Sequence, residues 1–188
     1  FPHWNWQKDQ EVDVWAYYNN ADEVELFLNG KSLGKKSKQN DDLHIAWKVK
    51  FEPGTLKAIS RKDGKVVLEK EIHTAGQASK IDLKADKASI KNDGYDLVYV
   101  TVSVVDKDGN LIPNANDLIN FEVTGGGKLV GVDNGYQANL DSFKANSCKV
   151  YNGKCIAIIQ SNNQKENIKL TASTGNGISN SAIEIGVK

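Results

Sequence analysis

Residues 20–34 read NADEVELFLNGKSLG and carry the clearest fold signal in the chain. Val24, Leu26 and Leu28 alternate with outward-facing neighbours, and this period of two predicts a half-buried β-strand. Asn29-Gly30 follows directly and supplies the two positive-φ positions of a type I′ turn, so a β-hairpin is expected here. The hairpin contains no recognisable catalytic or metal-binding pattern. The hairpin therefore indicates the fold of the chain but not its function.

The same combination of alternation and tight turns recurs along the chain. Residues 97–105 carry a stripe of valines, Asp63-Gly64 marks another hairpin turn, and residues 43–51 place five apolar side chains on one inward face: Leu43, Ile45, Trp47, Val49 and Phe51. Short strands separated by turns every eight to twelve residues or so, about seven in each half, are typical of a sandwich. The predicted fold class is all-β, with two consecutive immunoglobulin-like or fibronectin III-like β-sandwiches.

A small, polar stretch at residues 74–80, TAGQASK, interrupts the strand pattern and marks the predicted domain boundary. We expect a first sandwich over residues 1–77 and a second over residues 78–188. The chain contains no methionine, and Phe1 opens directly into patterned sequence. An excised piece of a longer protein is therefore expected rather than a mature product.

Charge and hydropathy exclude two classes of partner. The chain has 24 basic and 24 acidic residues, and 12 of each precede residue 78, so each half is neutral. No global field favours nucleic acid or an anionic membrane surface. No apolar run approaches the ~20 residues of a membrane helix, so membrane insertion is not expected.

No catalytic constellation stands out, and neither a metal nor a cofactor is expected. His3, His44 and His73 lie in separate segments and form no HExxH motif or histidine cluster. A glycosidase needs two facing carboxylates, but the carboxylates here fall in turns or on outward strand faces: Asp63, Asp106, Asp108, Glu23, Glu25, Glu69 and Glu71. In such positions the carboxyl pKa is expected to stay near its ordinary value, which suits neither a general acid nor a shielded nucleophile.

Two loops superficially resemble ligand-binding motifs. Residues 106–110, DKDGN, share carboxylates and a glycine with calcium loops, but lack the length, the helices and the terminal Glu of an EF-hand. Residues 125–127 form a glycine run, but another strand follows it where a phosphate-binding loop requires a helix. Both are expected to be turns, the second a flexible one between strands.

Two cysteines, Cys148 and Cys155, flank a predicted Asn152-Gly153 turn. In a two-residue hairpin Val150 lies opposite Cys155 and Cys148 opposite Ala157, which makes the cysteines diagonal neighbours on one face. That placement favours two buried or half-buried thiols over a disulfide, with the disulfide left open. A metal site is less favoured, because no second pair of ligands lies at a suitable spacing.

Aromatic side chains crowd the first 20 residues. In an extended segment Trp4 and Trp6 share one side, and His3 and Asn5 the other. Trp15 and Tyr17 lie opposite the apolar positions of residues 11–18, which predicts that the outer face of this strand is also covered. Trp4, Trp6 and Trp15 are the candidate carbohydrate-binding residues, because rings can stack on a pyranose. The favoured alternative is that the first two indoles pack on the sandwich or on a neighbouring domain.

Several motifs resemble the module that follows the barrel in glycoside hydrolase family 2 enzymes, mainly bacterial β-galactosidases. They are PHWNW at 2–6, VWAYYNNADEVELFLNGKSLG at 14–34, WKVKFEPGTLKA at 47–58, KDGKVV at 62–67 and HTAG at 73–76. The second half is similar to the sandwich that comes last in the same proteins. Its matching runs are DLVYVTVSVVDKDGNLIPNANDLINFEV at 96–123, LVGVDNG at 129–135, FKA at 143–145 and YNGKCIAIIQS at 151–161.

This resemblance implies a non-catalytic C-terminal accessory segment that supports the upstream barrel of the same polypeptide and walls part of its substrate cleft. The family's catalytic glutamates lie on that barrel, which does not fit in this chain, so no catalytic residue is carried over. β-Galactoside-containing glycans are the implied ligands, and the periplasm or cell exterior is the implied location. Two alternatives stay open: a carbohydrate-binding module, and a stalk of bacterial immunoglobulin-like domains as in adhesins.

Overall fold

The computed structural model describes residues 3–175 and 177–188, and within these ranges the chain is all-β. The predicted fold class is confirmed. Phe1, Pro2 and Asn176 lie outside the described residues, and Pro2 is the first residue of the PHWNW motif. The chain divides into two compact units, Phe1–Thr74 and Ala75–Lys188, and the division falls inside the 74–80 segment. No helix in the described part of the chain is long and apolar enough to cross a membrane.

The described residues of the first unit, from residue 3 onward, form six strands in two sheets. A two-stranded sheet pairs β1 with β4, and a four-stranded sheet has the order β3-β2-β5-β6. All pairs are antiparallel. The strands are β1 (Glu11–Ala16), β2 (Glu23–Leu28), β3 (Lys31–Lys36), β4 (Ile45–Lys50), β5 (Thr55–Lys62) and β6 (Lys65–His73).

The opening hairpin forms as its sequence predicts. Asn29 and Gly30 join β2 to β3 with φ of 51° and 81°, the two positive values that a type I′ turn requires. Val24, Leu26 and Leu28 are buried in the core of the unit together with Ile45, Trp47, Val49 and Phe51. The alternation in residues 20–34 therefore marks the core face correctly.

Two predictions about the first unit are wrong. Leu43 was expected to point inward but is 79% exposed, because β4 begins only at Ile45 and Leu43 belongs to the preceding loop. Residues 1–10 were expected to be extended, but the described part of this segment, residues 3–10, contains no strand. Their backbone is irregular, with a turn at Gln7 closed by the amide of Gln10.

In its described residues the second unit is a sandwich of nine strands around one core. One sheet has the order β11-β13-β9-β7 and the other β12-β10-β14-β15-β8, with β15 and β8 parallel. The strands are β7 (Lys80–Ala85), β8 (Ser89–Ile90), β9 (Leu97–Val105), β10 (Leu118–Thr124), β11 (Gly127–Asp133), β12 (Ser147–Lys149), β13 (Lys154–Ser161), β14 (Ile168–Ser173) and β15 (Ser181–Val187). The predicted valine stripe of β9 is fully buried.

The glycine run, expected to be a flexible turn, is a tightly packed connection between the two sheets. Gly125 and Gly126 carry the chain from β10 in one sheet to β11 in the other. A Cβ at either glycine would overlap the backbone carbonyls of residues 164–167. The Asn162 side chain donates a hydrogen bond to the Gly125 carbonyl at 3.0 Å. Glycine is required here by close backbone approach, which the sequence pattern alone does not reveal.

The cysteine hairpin also differs from its prediction. Asn152 and Gly153 do form the tight turn, with φ of 51° and 75°. However, β12 pairs with β10 and β13 pairs with β9, so the two arms belong to opposite sheets. Cys148 and Cys155 therefore approach each other across the core, not diagonally on one face, and both are buried.

Candidate functional site

Trp4 is a core residue of the first unit. Its side chain is 1% exposed, its indole N–H donates to the Glu52 carbonyl at 2.9 Å, and its ring meets Phe51 edge-on at 5.4 Å. Its own carbonyl accepts a hydrogen bond of 2.7 Å from the Thr74 hydroxyl. The first and last described segments of the unit are therefore joined through Trp4, and its ring offers no open face to a ligand.

Trp6 contacts His3, which the predicted alternation placed on the other side of the segment. The two rings are tilted with centroids 4.6 Å apart, and Trp6 packs, half-buried, against the core that contains Trp4. The predicted alternation fails because residues 3–10 are not an extended strand. Among the residues that the structure describes, no hydrogen-bond partner meets the buried indole N–H of Trp6.

An apolar cleft of about 870 Å³ opens in the first unit between its two sheets. In the described residues β6 is the edge strand of the four-stranded sheet, and the other sheet has only two strands to cover it. Leu68 and Ile72 of β6 line the cleft together with Lys70, and Leu68 is 60% exposed. Val12, Val14 and Ala16 of β1 form the other wall. An open apolar surface of this kind is typical of an interaction site.

A second exposed surface lies on the outer face of β1. The rings of Trp15 and His44 stack at 4.5 Å, and Tyr17 lies 5.2 Å from His44 and 6.4 Å from Trp15. Trp15 is 56% exposed and Tyr17 65% exposed. We call these three residues the aromatic platform. Sequence reasoning named Trp15 but missed His44, because the loop that precedes β4 brings it beside Trp15 from a distant position in the chain.

Several carboxylates of the first unit form ion pairs with lysine side chains. Glu23 lies 2.8 Å from Lys35, and Lys57 lies 2.6 Å from Glu69 and 3.3 Å from Glu71.

Glu25 departs from the expectation of an ordinary pKa. A hydrogen bond of 2.8 Å from the Ser32 hydroxyl, helped by Arg61 at 2.9 Å, lowers the pKa of this carboxyl despite some desolvation. A lowered pKa favours the ionised form, the opposite of what a general acid needs at neutral pH.

Asp106 is a structural carboxylate of the second unit. Its two oxygens accept hydrogen bonds from the backbone amides of Gly76, Asp108 and Asn110 and from the Asn110 side chain, at 2.8–3.0 Å. Burial raises its pKa, but these hydrogen bonds outweigh burial and lower the pKa to about 2. The predicted turn is therefore organised around N–H donors. Within residues 3–175 and 177–188, no group of three or more His, Cys, Asp or Glu side chains could hold a metal ion.

The comparison with protein families decides which family this chain represents. The model of the glycoside hydrolase family 2 C-terminal domain 5 matches residues 81–183, more than half of the chain. The chain belongs to the C-terminal domains of glycoside hydrolase family 2. A domain of unknown function (DUF4982) matches residues 9–68 of this family 2 segment. The resemblance noted in the sequence is therefore confirmed in both halves.

Relatives of the family 2 segment are much longer enzymes. Beta-galactosidase BoGH2A of Bacteroides ovatus is 51% identical over 188 residues, which are 100% of this chain and 22% of that protein. A solved glycosyl hydrolase family 2 member from Bacteroides cellulosilyticus superposes with a TM-score of 0.95 at 34% identity, over 100% of this chain and 24% of that one. A β-glycosidase from Bacteroides vulgatus gives 0.92 at 29% identity, with coverage of 100% and 24%. The chain thus spans about a fifth to a quarter of these proteins.

Proposed function

We propose that this chain is a non-catalytic accessory segment of a family 2 enzyme of the β-galactosidase type, and that it supports the enzyme's catalytic barrel. Membership of the family's C-terminal domains and the 51% identity to a β-galactosidase support this role. The ion pairs of carboxylates such as Glu23 and Glu69 in the first unit also fit a non-catalytic segment, with catalysis in another part of the polypeptide.

The single observation that carries the proposal is the apolar cleft of the first unit. An inner sheet face with Leu68 more than half exposed is unusual in a finished sandwich, whose two sheets cover each other. Covering Leu68 and Ile72 removes apolar area from water, worth about 25 cal/mol per Å². The proposed occupant is the catalytic part of the same polypeptide, because an intramolecular partner binds at a high effective concentration.

Truncation tests the accessory role directly. The complete gene product is compared with a product that ends before Phe1 and with a third that ends after Thr74 and so keeps the first unit. We expect the shortest product to lose both melting temperature and turnover of an aryl β-galactoside, and the intermediate product to retain most of both. Equal activity and equal melting temperature in all three would contradict the proposal.

Glycan binding by the aromatic platform is a second candidate function. Trp15, which stacks on His44, and the tilted ring of Tyr17 form an exposed aromatic cluster, and aromatic rings with polar edges suit the apolar faces and hydroxyls of sugars. The candidate ligands are β-galactoside-containing glycans, by analogy with the named activity of the relative BoGH2A. In this role Trp4 would contribute only to the fold, since its ring is buried.

Calorimetric titration of the 188-residue chain with galactosides and plant or host glycans separates the two candidates. Binding lost in Trp15→Ala and retained in Tyr95→Ala, which removes another exposed aromatic ring, would support the platform as a glycan site. If no heat of binding is measured at millimolar glycan, the platform is not a glycan site, and support of the barrel is the function that stands. A stalk-like role, the third alternative, predicts further sandwich repeats rather than a barrel in the upstream reading frame.

The periplasm or the cell exterior is the location that we propose for the complete enzyme. The basis is the family resemblance alone. Fractionation of the producing cells with an antibody against this chain tests it, and recovery of the protein with cytoplasmic markers would contradict it.

A further inference from the structure

The two buried cysteines of the second unit meet across its core. Cys148 lies on β12, where it is paired with Ile119 of the five-stranded sheet, and Cys155 lies on β13, paired with Val102 of the four-stranded sheet. The Cys148 thiol donates to the Lys149 carbonyl at 3.6 Å. Both side chains are buried in the same core, and both lie within a few residues of the tight Asn152-Gly153 turn. This placement brings the two thiols near each other although their strands belong to different sheets.

The connection between the cysteines is held rigidly. Tyr151 and Lys154 exchange backbone hydrogen bonds of 2.9 and 3.1 Å across the Asn152-Gly153 turn, and the Val150 amide donates to the Asp117 carbonyl at 2.9 Å. The Asn134 side chain donates to the Lys149 carbonyl at 2.8 Å. These hydrogen bonds hold the turn and its flanking residues, so in the folded state the two thiols are already placed for a bond to each other.

We propose that Cys148 and Cys155 form an oxidisable dithiol, and that its disulfide joins the two sheets of the second unit. The oxidant is a small-molecule disulfide such as oxidised glutathione. The Cys148 thiolate attacks one sulfur of the oxidant and releases one thiol, and the Cys155 sulfur then attacks Cys148 and releases the second. Two protein thiols are oxidised, the oxidant is reduced to two thiols, and these carry away both protons.

Cys148 is suited to make the first attack. The hydrogen bond from Cys155 lowers the pKa of Cys148 against the opposing effects of burial and of Asp133 and Asp141, and the same bond together with burial raises the pKa of Cys155. β12 has only three residues and forms the edge of its sheet, so its local opening exposes Cys148 before the core unfolds.

Peptide mapping of the 188-residue chain tests the proposal. The chain is incubated with oxidised glutathione, both folded and during refolding from urea, then blocked with N-ethylmaleimide and digested with trypsin. Trypsin cleaves after Lys149 and Lys154, so the two cysteines leave in separate peptides unless a disulfide joins them. We expect the joined pair, an intact mass lower by two hydrogen atoms, and a melting temperature of the second unit that rises by about 5–10 °C on oxidation.

Cys148→Ala and Cys155→Ala are the matched controls, and neither is expected to show a rise in melting temperature on oxidation. Oxidised and reduced wild-type chain provide the same comparison without any substitution. Two freely alkylated or separately glutathionylated cysteines after refolding in oxidised glutathione would overturn the proposal. A linkage between two chains in place of the internal one would overturn it as well.

Discussion

The Asn29 side chain lies directly over Gly54 and ties the first hairpin turn to the turn that precedes β5. Its Oδ1 accepts a hydrogen bond from the Thr55 amide at 2.9 Å, and its Nδ2 donates to the Pro53 carbonyl at 3.0 Å. A Cβ on Gly54 would overlap the Asn29 amide, and Gly54 has a φ of 136°. Asn29 therefore acts twice, as a turn residue and as a clamp on a second turn.

Asn29→Gly is expected to separate these two roles, since glycine keeps the positive φ but loses both side-chain hydrogen bonds. We expect the first unit to lose about 1–2 kcal/mol of unfolding free energy. All four tryptophans lie before residue 48, so tryptophan fluorescence during urea unfolding reports on the first unit alone. Gly30→Ala is the comparison, because a Cβ there meets nothing within 4 Å and only the φ of 81° is strained. A fully stable Asn29→Gly chain would show that the clamp is dispensable.

Gly153→Ala is expected to destabilise the second unit far more than Gly135→Ala. Both glycines have positive φ, 75° and 72°, so both variants carry the left-handed strain of about 1–2 kcal/mol. Only at Gly153 would the new Cβ also overlap a backbone carbonyl, that of Ile112. Hydrogen exchange of β9 amides measures the difference, because the Val104 amide donates to the Gly153 carbonyl. Equal exchange rates in the two variants would contradict this steric argument.

Asp106 is expected to make the stability of the second unit depend on pH in the acid range. Its folded pKa of about 2 is below its unfolded value of about 3.9, so its contribution is fully present above pH ~4. That contribution is lost as the pH falls from there toward 2. Asp106→Asn should lower stability at pH 7 and flatten this dependence, as followed by hydrogen exchange of the second unit. Asp108→Asn, at an exposed carboxylate, should leave the dependence intact, and an unchanged profile in Asp106→Asn would contradict the assignment.

Local pattern predicted the faces of strands better than their ends. Alternation correctly placed Ile45, Trp47 and Val49 in the core, but it extended the strand back to Leu43 because period two cannot detect where a loop gives way to a sheet. The turn between Gln39 and Asp42 is fixed by a backbone hydrogen bond of 3.0 Å, a contact that hydropathy does not encode.

Pairing between distant strands was the other information that the sequence could not supply. The Asn152-Gly153 turn was predicted correctly, yet its arms belong to different sheets because β12 pairs with β10 and β13 pairs with β9. The aromatic platform was found only in part for the same reason. Trp15 and Tyr17 are visible as alternating residues of one strand, whereas His44 joins them through the pairing of β1 with β4.

The most direct test of the supporting role places a charge in the apolar cleft. Leu68→Asp is made both in the 188-residue chain and in the complete gene product, with Val67→Asp as the control at an exposed position of β6 that does not line the cleft. Both side chains are exposed in the chain alone, 60% and 46%, so neither variant should lower its melting temperature appreciably. In the complete enzyme Leu68→Asp should lower the melting temperature and the turnover of an aryl β-galactoside, because the carboxylate becomes buried against the catalytic part. Equal behaviour of Leu68→Asp and Val67→Asp in the complete enzyme would contradict the account.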